Sequence, residues 1–148
     1  MNVARIFRHW EQIRTDLLAG LELFSDEQLA FRPALKYQRS VGDIARHIAS
    51  AEDYWFQQVV SGRPRARFTE EQYPTVQTIK VALTDVHQKT LTFLNTLTIA
   101  DLERKFVTPS GNEYGLYWII WHVIDHECHH RGELYLCLGL LGIDGPDL

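Results

Sequence analysis

Cysteine is scarce in this sequence, and long apolar runs are absent. Only two of the 148 residues are cysteines, Cys128 and Cys137, and both fall in one predicted helix. At a rise of about 1.5 Å per residue, roughly 13 Å would separate them, which is too far for a disulfide. No apolar run approaches the roughly 20 residues that a membrane-spanning helix needs. The N-terminal pattern contains Arg5 and Arg8 and is not typical of a signal peptide, so we expect a cytoplasmic protein.

The chain also lacks an excess of positive charge. It has 15 lysines and arginines against 19 aspartates and glutamates, so its net charge is −4 with neutral histidines. This balance argues against broad nucleic-acid binding, which depends on cationic contacts with phosphates. Hydrophobic residues make up 45% and charged residues 23%, which is typical of a folded globular chain. We therefore predict one domain over residues 1–148, with a small basic cluster at Arg63, Arg65 and Arg67.

No segment of useful length alternates apolar and polar residues, and we predict no strand. Apolar residues instead recur at helical spacing in four stretches, which we assign to helices over residues 2–24, 40–59, 75–97 and 113–141. Ser40-Val41-Gly42-Asp43 resembles a capping box, Gly142 suits a helix C-terminus, and Pro109-Ser110-Gly111-Asn112 indicates a turn. The predicted fold is all-α, a four-helix bundle in which residues 61–74 form a long connection.

Histidine is frequent: there are seven, and four of them lie between His122 and His130. At about 100° per residue, His126 and His130 share the apolar face of the last helix, and Glu133 lies on that face too. Two histidines at positions i and i+4 can bind one metal ion. His47 flanks the apolar stripe of the second helix and could supply a third ligand. The alternative is that these histidines are hydrogen-bonded core residues.

The same histidines also fit a zinc-protease pattern. His126-Glu127-Cys128-His129-His130 matches H-E-x-x-H, in which two histidines bind zinc and the glutamate is the general base. The longer metzincin pattern fails, because Glu133 and Leu136 stand where glycine and histidine are required. Glu127 lies about 100° from His126 around the helix, and we expect it to be exposed. The zinc protease is therefore a lower-ranked alternative.

Two longer motifs resemble those of a known family. Residues 40–52, SVGDIARHIASAE, followed by Trp55, resemble the second-helix motif of the DinB/YfiT-like metalloenzymes. Residues 121–134, WHVIDHECHHRGEL, resemble the closing-helix motif of that family. Phe31-Arg32-Pro33 looks like the segment that precedes its second helix. The resemblance covers essentially the whole chain, with the motifs in order and at the expected spacing.

This resemblance implies a four-helix bundle with a long crossover connection. It also implies a divalent metal ion, nickel or zinc, that is held by His47, His126 and His130. Relatives with assigned activities are mainly thiol-dependent transferases and isomerases, so a low-molecular-weight thiol is a candidate cofactor. Homodimers are common in the family, and the resemblance leads us to expect one here.

Three neutral histidines leave positions open on a metal, which is typical of catalytic rather than structural sites. Such a metal lowers the pKa of a bound water or thiol, which could then attack a small, electrophilic substrate. We therefore predict a metal-dependent hydrolase or a thiol-dependent transferase. The alternatives are a non-enzymatic metal-binding or stress-response domain, and a bundle with a vestigial, metal-free site.

Further residues are candidates for supporting roles. Glu133 is the candidate catalytic residue, as a general base or as an acceptor that orients a histidine, although a salt bridge at the rim is the simpler interpretation. Glu52 and Asp125 are candidate acceptors for the second ring nitrogen of a ligand histidine. We interpret His9 and His87 as structural or exposed. We expect the arginine cluster in solvent rather than on an acidic substrate group, and we expect the tryptophans in the core rather than at a pocket mouth: Trp10, Trp55, Trp118 and Trp121.

Overall fold

The computed structural model describes residues 1–148 as five α-helices and a small β-hairpin. The helices are α1 (Val3–Ile6), α2 (His9–Leu21), α3 (Val41–Asp53), α4 (Val76–Asn95) and α5 (Leu116–Leu140). A π-helical segment, Tyr54–Val60, continues α3, and short 3₁₀ turns cover Glu27–Ala30 and Ile99–Glu103. The strands are β1 (Lys105–Val107) and β2 (Glu113–Gly115). None of these helices has the length and apolar character to cross a membrane.

The four long helices form the predicted bundle, with α2 and α5 running in one direction and α3 and α4 in the other. Arg46 Nη1 donates to the Tyr73 carbonyl at 3.1 Å, so the start of α3 lies beside the start of α4. Trp55, just beyond α3, packs against Trp118 near the start of α5, so these two helices are antiparallel. Residues 61–75 therefore return along the bundle as a long crossover connection.

The helix starts agree with the capping signals in the sequence. Ser40 and Asp43 form the predicted capping box, in which each side chain accepts from the other residue's backbone N–H. Thr75 and Thr78 form a second reciprocal pair at the start of α4. These pairs satisfy backbone donors that have no partner within the helix. At the other end of the chain, Gly142 follows α5 with a φ of 73°, a conformation that glycine adopts without steric cost.

Two predicted boundaries are wrong. The first helix is divided at Phe7 and Arg8 into α1 and α2, and no glycine or proline marks the break. The last helix begins at Leu116 rather than Glu113, because Glu113–Gly115 pairs with Lys105–Val107 in an antiparallel hairpin. The prediction that the chain has no strand is therefore also wrong. Strands of three residues are too short for an alternating pattern to be detected.

A layer of polar and charged side chains divides the core. Two apolar clusters fill the ends of the bundle, one around Leu17, Ile48 and Leu83 and one around Phe56 and Ile119. Between them lie four buried polar residues, one from each long helix. They are Arg14 on α2, Glu52 on α3, His87 on α4 and Glu127 on α5.

Candidate metal centre

Three histidine side chains from two helices meet at one point. His126 Nε2 lies 2.9 Å from His47 Nε2 and 3.1 Å from His130 Nε2. His130 is buried, and the other two side chains are half-buried. The spacing of four residues places His126 and His130 on one face of α5, and the antiparallel packing of α3 brings His47 opposite them. The structure therefore brings together the three histidines that the sequence singled out.

The chemistry of these nitrogens fits a shared cation better than mutual hydrogen bonds. A neutral imidazole nitrogen has either one proton or one lone pair in the ring plane. His126 Nε2 therefore cannot form ordinary hydrogen bonds with both of its neighbours. Two nitrogens that each lie about 2.1 Å from a metal, at right angles, are about 3.0 Å apart, which is close to the observed separations. The three nitrogens could hold a divalent metal ion.

Glu133 connects this cluster to a tyrosine from the loop before α3. Its carboxylate contacts His130 Nδ1 and accepts a hydrogen bond from the Tyr37 hydroxyl. A carboxylate at Nδ1 keeps the proton of a neutral imidazole on that atom and leaves Nε2 with its lone pair. This contact is the one expected of an acceptor that orients a histidine. His129 Nε2 also lies 3.4 Å from this carboxylate, but its side chain is 68% exposed.

Burial keeps the three imidazoles neutral. It lowers the pKa of His126 to about 4 and that of His130 to about 3, assisted by the charges that neighbouring histidines would carry. Burial also lowers the pKa of His47, together with the charges of Arg39 and Arg65. Metals bind the neutral form of imidazole, so no proton has to leave before a metal binds at neutral pH. Burial raises the pKa of Glu133.

An aromatic ladder follows α5 towards the histidines. Tyr114, Trp118 and His122 stack in succession, with ring centroids 4.2 Å and 4.6 Å apart. Trp55 packs edge-on against all three rings. The ladder ends one turn before His126 and forms a wall of aromatic surface that leads to the site.

The tryptophans divide between the core and the surface. Trp10 is buried as predicted, but Trp118 is 42% exposed and Trp121 is 48% exposed. The core prediction is therefore wrong for these two residues. Trp118 contacts Trp55 and Trp121 contacts Phe7 on one side, and the rest of each side chain faces solvent.

Glu127, the glutamate of the H-E-x-x-H pattern, is buried rather than exposed as predicted. Its carboxylate accepts from Arg14 Nε at 2.8 Å and Arg14 Nη2 at 2.9 Å, and from the Trp10 indole at 2.7 Å. These donors occupy both oxygens inside the bundle. A carboxylate held in this way cannot act as the general base of a zinc protease, so its position counts against that interpretation.

The two other predicted acceptors do not contact the histidine cluster. Glu52 accepts from Arg14 at 2.6 Å and contacts His87 Nδ1 at 2.9 Å. Asp125 is exposed and forms no hydrogen bond with a histidine. Their predicted role as partners of metal-binding histidines is therefore wrong. His87 is buried and structural, in agreement with one of its two predicted interpretations.

Solved structures with the same fold are DinB-like proteins. One from Bacillus cereus has a TM-score of 0.84 and 18% identity, covering 99% of this chain and 97% of that chain. YjoA, a DinB-like protein from Bacillus subtilis, has a TM-score of 0.75 and 19% identity, covering 97% and 96%. YfiT from Bacillus subtilis, described as a probable metal-dependent hydrolase with an unusual four-helix bundle topology, has a TM-score of 0.71 and 19% identity, covering 93% and 88%. At these identities the likeness shows the fold alone.

The sequence itself shows the family. No curated protein sequence matches the chain. The family model of the DinB superfamily matches residues 9–134, which include all four long helices of the bundle up to Leu134 and all three clustered histidines. The chain therefore belongs to the DinB superfamily.

Proposed function

We propose that this protein is a metal-dependent hydrolase of small molecules, whose divalent metal is held by His47, His126 and His130. The observation that carries the proposal is the convergence of three Nε2 atoms from α3 and α5. Three protein ligands leave positions open for water and substrate, as in catalytic metal sites. The description of YfiT as a probable metal-dependent hydrolase supports the same class of reaction for a chain of the same fold.

The residues around the site orient the histidines that would hold the metal. When bound, a divalent ion supplies Lewis acidity, which lowers the pKa of a water or thiol beside it. Glu133 fixes the tautomer and ring orientation of His130, and Tyr37 holds the second oxygen of Glu133. The ring of His122, which ends the aromatic ladder, lies 6.5 Å from the ring of His126 between centroids. Imidazole nitrogens suit both zinc and nickel, so both metals need to be tested.

Metal content is the first test of this proposal. We expect about one divalent ion per chain in protein purified without chelator, measured by mass spectrometry. His47→Ala and His126→Ala should lose the ion. His129→Ala separates two possible sites, because His129, His130 and Glu133 form the second group able to hold a metal. If His129→Ala loses the metal and His47→Ala retains it, the metal is bound by His129, His130 and Glu133 instead. If the parent takes up neither zinc nor nickel, the proposal is wrong.

Activity tests then identify the reaction. We expect the metal-loaded protein to hydrolyse members of a panel of small esters and amides, and the metal-free protein to be inactive. Turnover of electrophiles only after addition of a low-molecular-weight thiol would instead indicate a thiol-dependent transferase. Metal binding without either activity would leave a non-enzymatic metal-binding domain. The expected homodimer is tested separately by analytical ultracentrifugation.

A further inference from the structure

Two cavities open beside the three histidines. One, of about 320 Å³, lies against α5 and is lined by Lys36, Arg39 and His130. The other, of about 280 Å³, lies between α3 and the crossover connection and is lined by His47 and Ser50. A substrate that enters through either cavity passes the side chains that line it.

Arg65 lies at one side of this entrance and is exposed, as expected for the arginine cluster. Its Nη2 donates to Ser50 Oγ at 2.6 Å, and its guanidinium lies over the Tyr54 ring at 5.2 Å from the centroid. Ser50 lies one turn beyond His47 and lines both the cavity of His47 and an adjoining cavity of about 580 Å³ that Arg65 lines. No carboxylate lies within ion-pair distance of Arg65, since every arginine and lysine ion pair of the molecule involves other residues.

Arg39 lies at the other side of the entrance to the histidines. It is half-buried, lines the cavity of His130, and forms neither an ion pair nor a side-chain hydrogen bond within the molecule. His130 lines the same cavity as Arg39, so this unpaired guanidinium shares a cavity with one histidine of the cluster.

The carboxylates around the cavities do not neutralise these two arginines. Asp43 pairs with Arg46 at 3.0 Å, and Glu133 is engaged by Tyr37 and His130. Glu70 is exposed at the edge of the cavity of His47. Across the three adjoining cavities, cationic side chains outnumber carboxylates.

We propose that Arg39 and Arg65 bind an anionic group of the substrate, a carboxylate or a phosphate, beside the three-histidine site. This inference rests on the proposed function and narrows its substrate class. A guanidinium matches both anions with two parallel N–H donors. Arg65 is already held by Ser50 and Tyr54, so little side-chain entropy remains to be lost when an anion binds. Unneutralised positive charge beside a cleft also attracts anions from solution.

The test measures anion binding rather than turnover. Metal-free and zinc-loaded protein are titrated at constant ionic strength with acetate, phosphate and neutral acetamide, and binding is followed by NMR. We expect at least one anion to bind both forms and acetamide to bind neither. Arg39→Gln and Arg65→Gln should each raise the Kd about tenfold, and Arg39→Lys should restore part of the affinity. The control is Arg63→Gln, because Arg63 lines a separate cavity with Asp85 and Lys89.

Each outcome of the anion titrations supports or overturns the proposed role of the two arginines. Preference for acetate assigns a carboxylate, preference for phosphate assigns a phosphate, and both results support the arginine site. Equal binding of acetate and acetamide, or an unchanged Kd in both glutamine variants, overturns it. Thermal melting establishes that each variant is folded. If the protein takes up no zinc, the proposed function is wrong, but the titration of metal-free protein still tests the arginines. If zinc binds and the arginine variants bind anions as the parent does, only this inference is wrong.

Discussion

Arg14 and Glu127 form a two-point ion pair inside the bundle, with N···O distances of 2.8 Å and 2.9 Å. Arg14 also donates to Glu52 at 2.6 Å and to the Leu83 carbonyl at 2.6 Å. One guanidinium on α2 therefore contacts α3, α4 and α5. Glu127 directly follows His126, so this clamp lies beside the histidine cluster and fixes how α3 and α5 face each other.

Removing Arg14 should destabilise the fold strongly. Arg14→Met leaves two buried carboxylates without their cation, which costs about 3–5 kcal/mol. Adding Glu52→Gln and Glu127→Gln removes both uncompensated charges, so the triple variant should regain part of the loss. Urea unfolding followed by circular dichroism measures the three proteins. A single variant as stable as the parent would show that the clamp does not stabilise the bundle.

The charged layer should make stability depend on acid pH through Glu52. Burial alone would raise the pKa of Glu52, but Arg14 and His87 outweigh it and lower the pKa from 4.5 to about 2. The folded state then binds fewer protons than the unfolded state, so this stabilisation is complete above about pH 4.5 and is lost as the pH falls through about 2. We expect the stability difference between the parent and Glu52→Gln to shrink over this range in urea titrations at successive pH values. A constant difference would contradict the assignment.

Glu133 and Tyr37 should influence metal affinity without binding the metal. Glu133→Gln weakens the acceptor that orients His130, and the loss of such partners typically lowers metal affinity about 10–100-fold. Tyr37→Phe should give a smaller loss, because it removes only the hydrogen bond to Glu133. Competition with a chromogenic chelator measures the affinities. His129→Ala is the control, since its exposed ring lies outside the trio, and an equal loss in that variant would argue against the specific role of Glu133.

Two glycines should respond to alanine in opposite directions. A Cβ at Gly20 would overlap the ring of Tyr135, whose hydroxyl is held by the Asp16 carbonyl at 2.6 Å. We expect Gly20→Ala to destabilise the protein by about 1–3 kcal/mol. Gly132 lies on the exposed face of α5 with open space around it, so Gly132→Ala should stabilise by about 0.5–1 kcal/mol. Thermal melting of both variants checks the signs.

Local signals accounted for most of the secondary structure. The capping pairs at Ser40 and Thr75, the helical spacing of apolar residues and the glycine after α5 depend on neighbours within a few residues. These features can be predicted because their energies arise within one or two turns of helix. The break at Phe7 has no comparable signal, and the β-hairpin has only the turn signal at residues 109–112. The strands of the hairpin are three residues long, and the segment before the break is held by a contact with a distant residue, the hydrogen bond between Val3 and Leu97.

The candidate metal site, like the fold, could be predicted from the sequence only in part. The sequence by itself determined that His126 and His130 share one face of a helix, because their spacing follows from helix geometry. Only the tertiary structure decided that Glu127 pairs with Arg14 rather than facing solvent, that Tyr37 holds Glu133, and that Arg39 and Arg65 flank the cluster. Helical periodicity gives the direction of a side chain relative to its own helix axis. Whether that direction meets water, a counter-ion or another histidine depends on how separate helices pack, which no local pattern encodes.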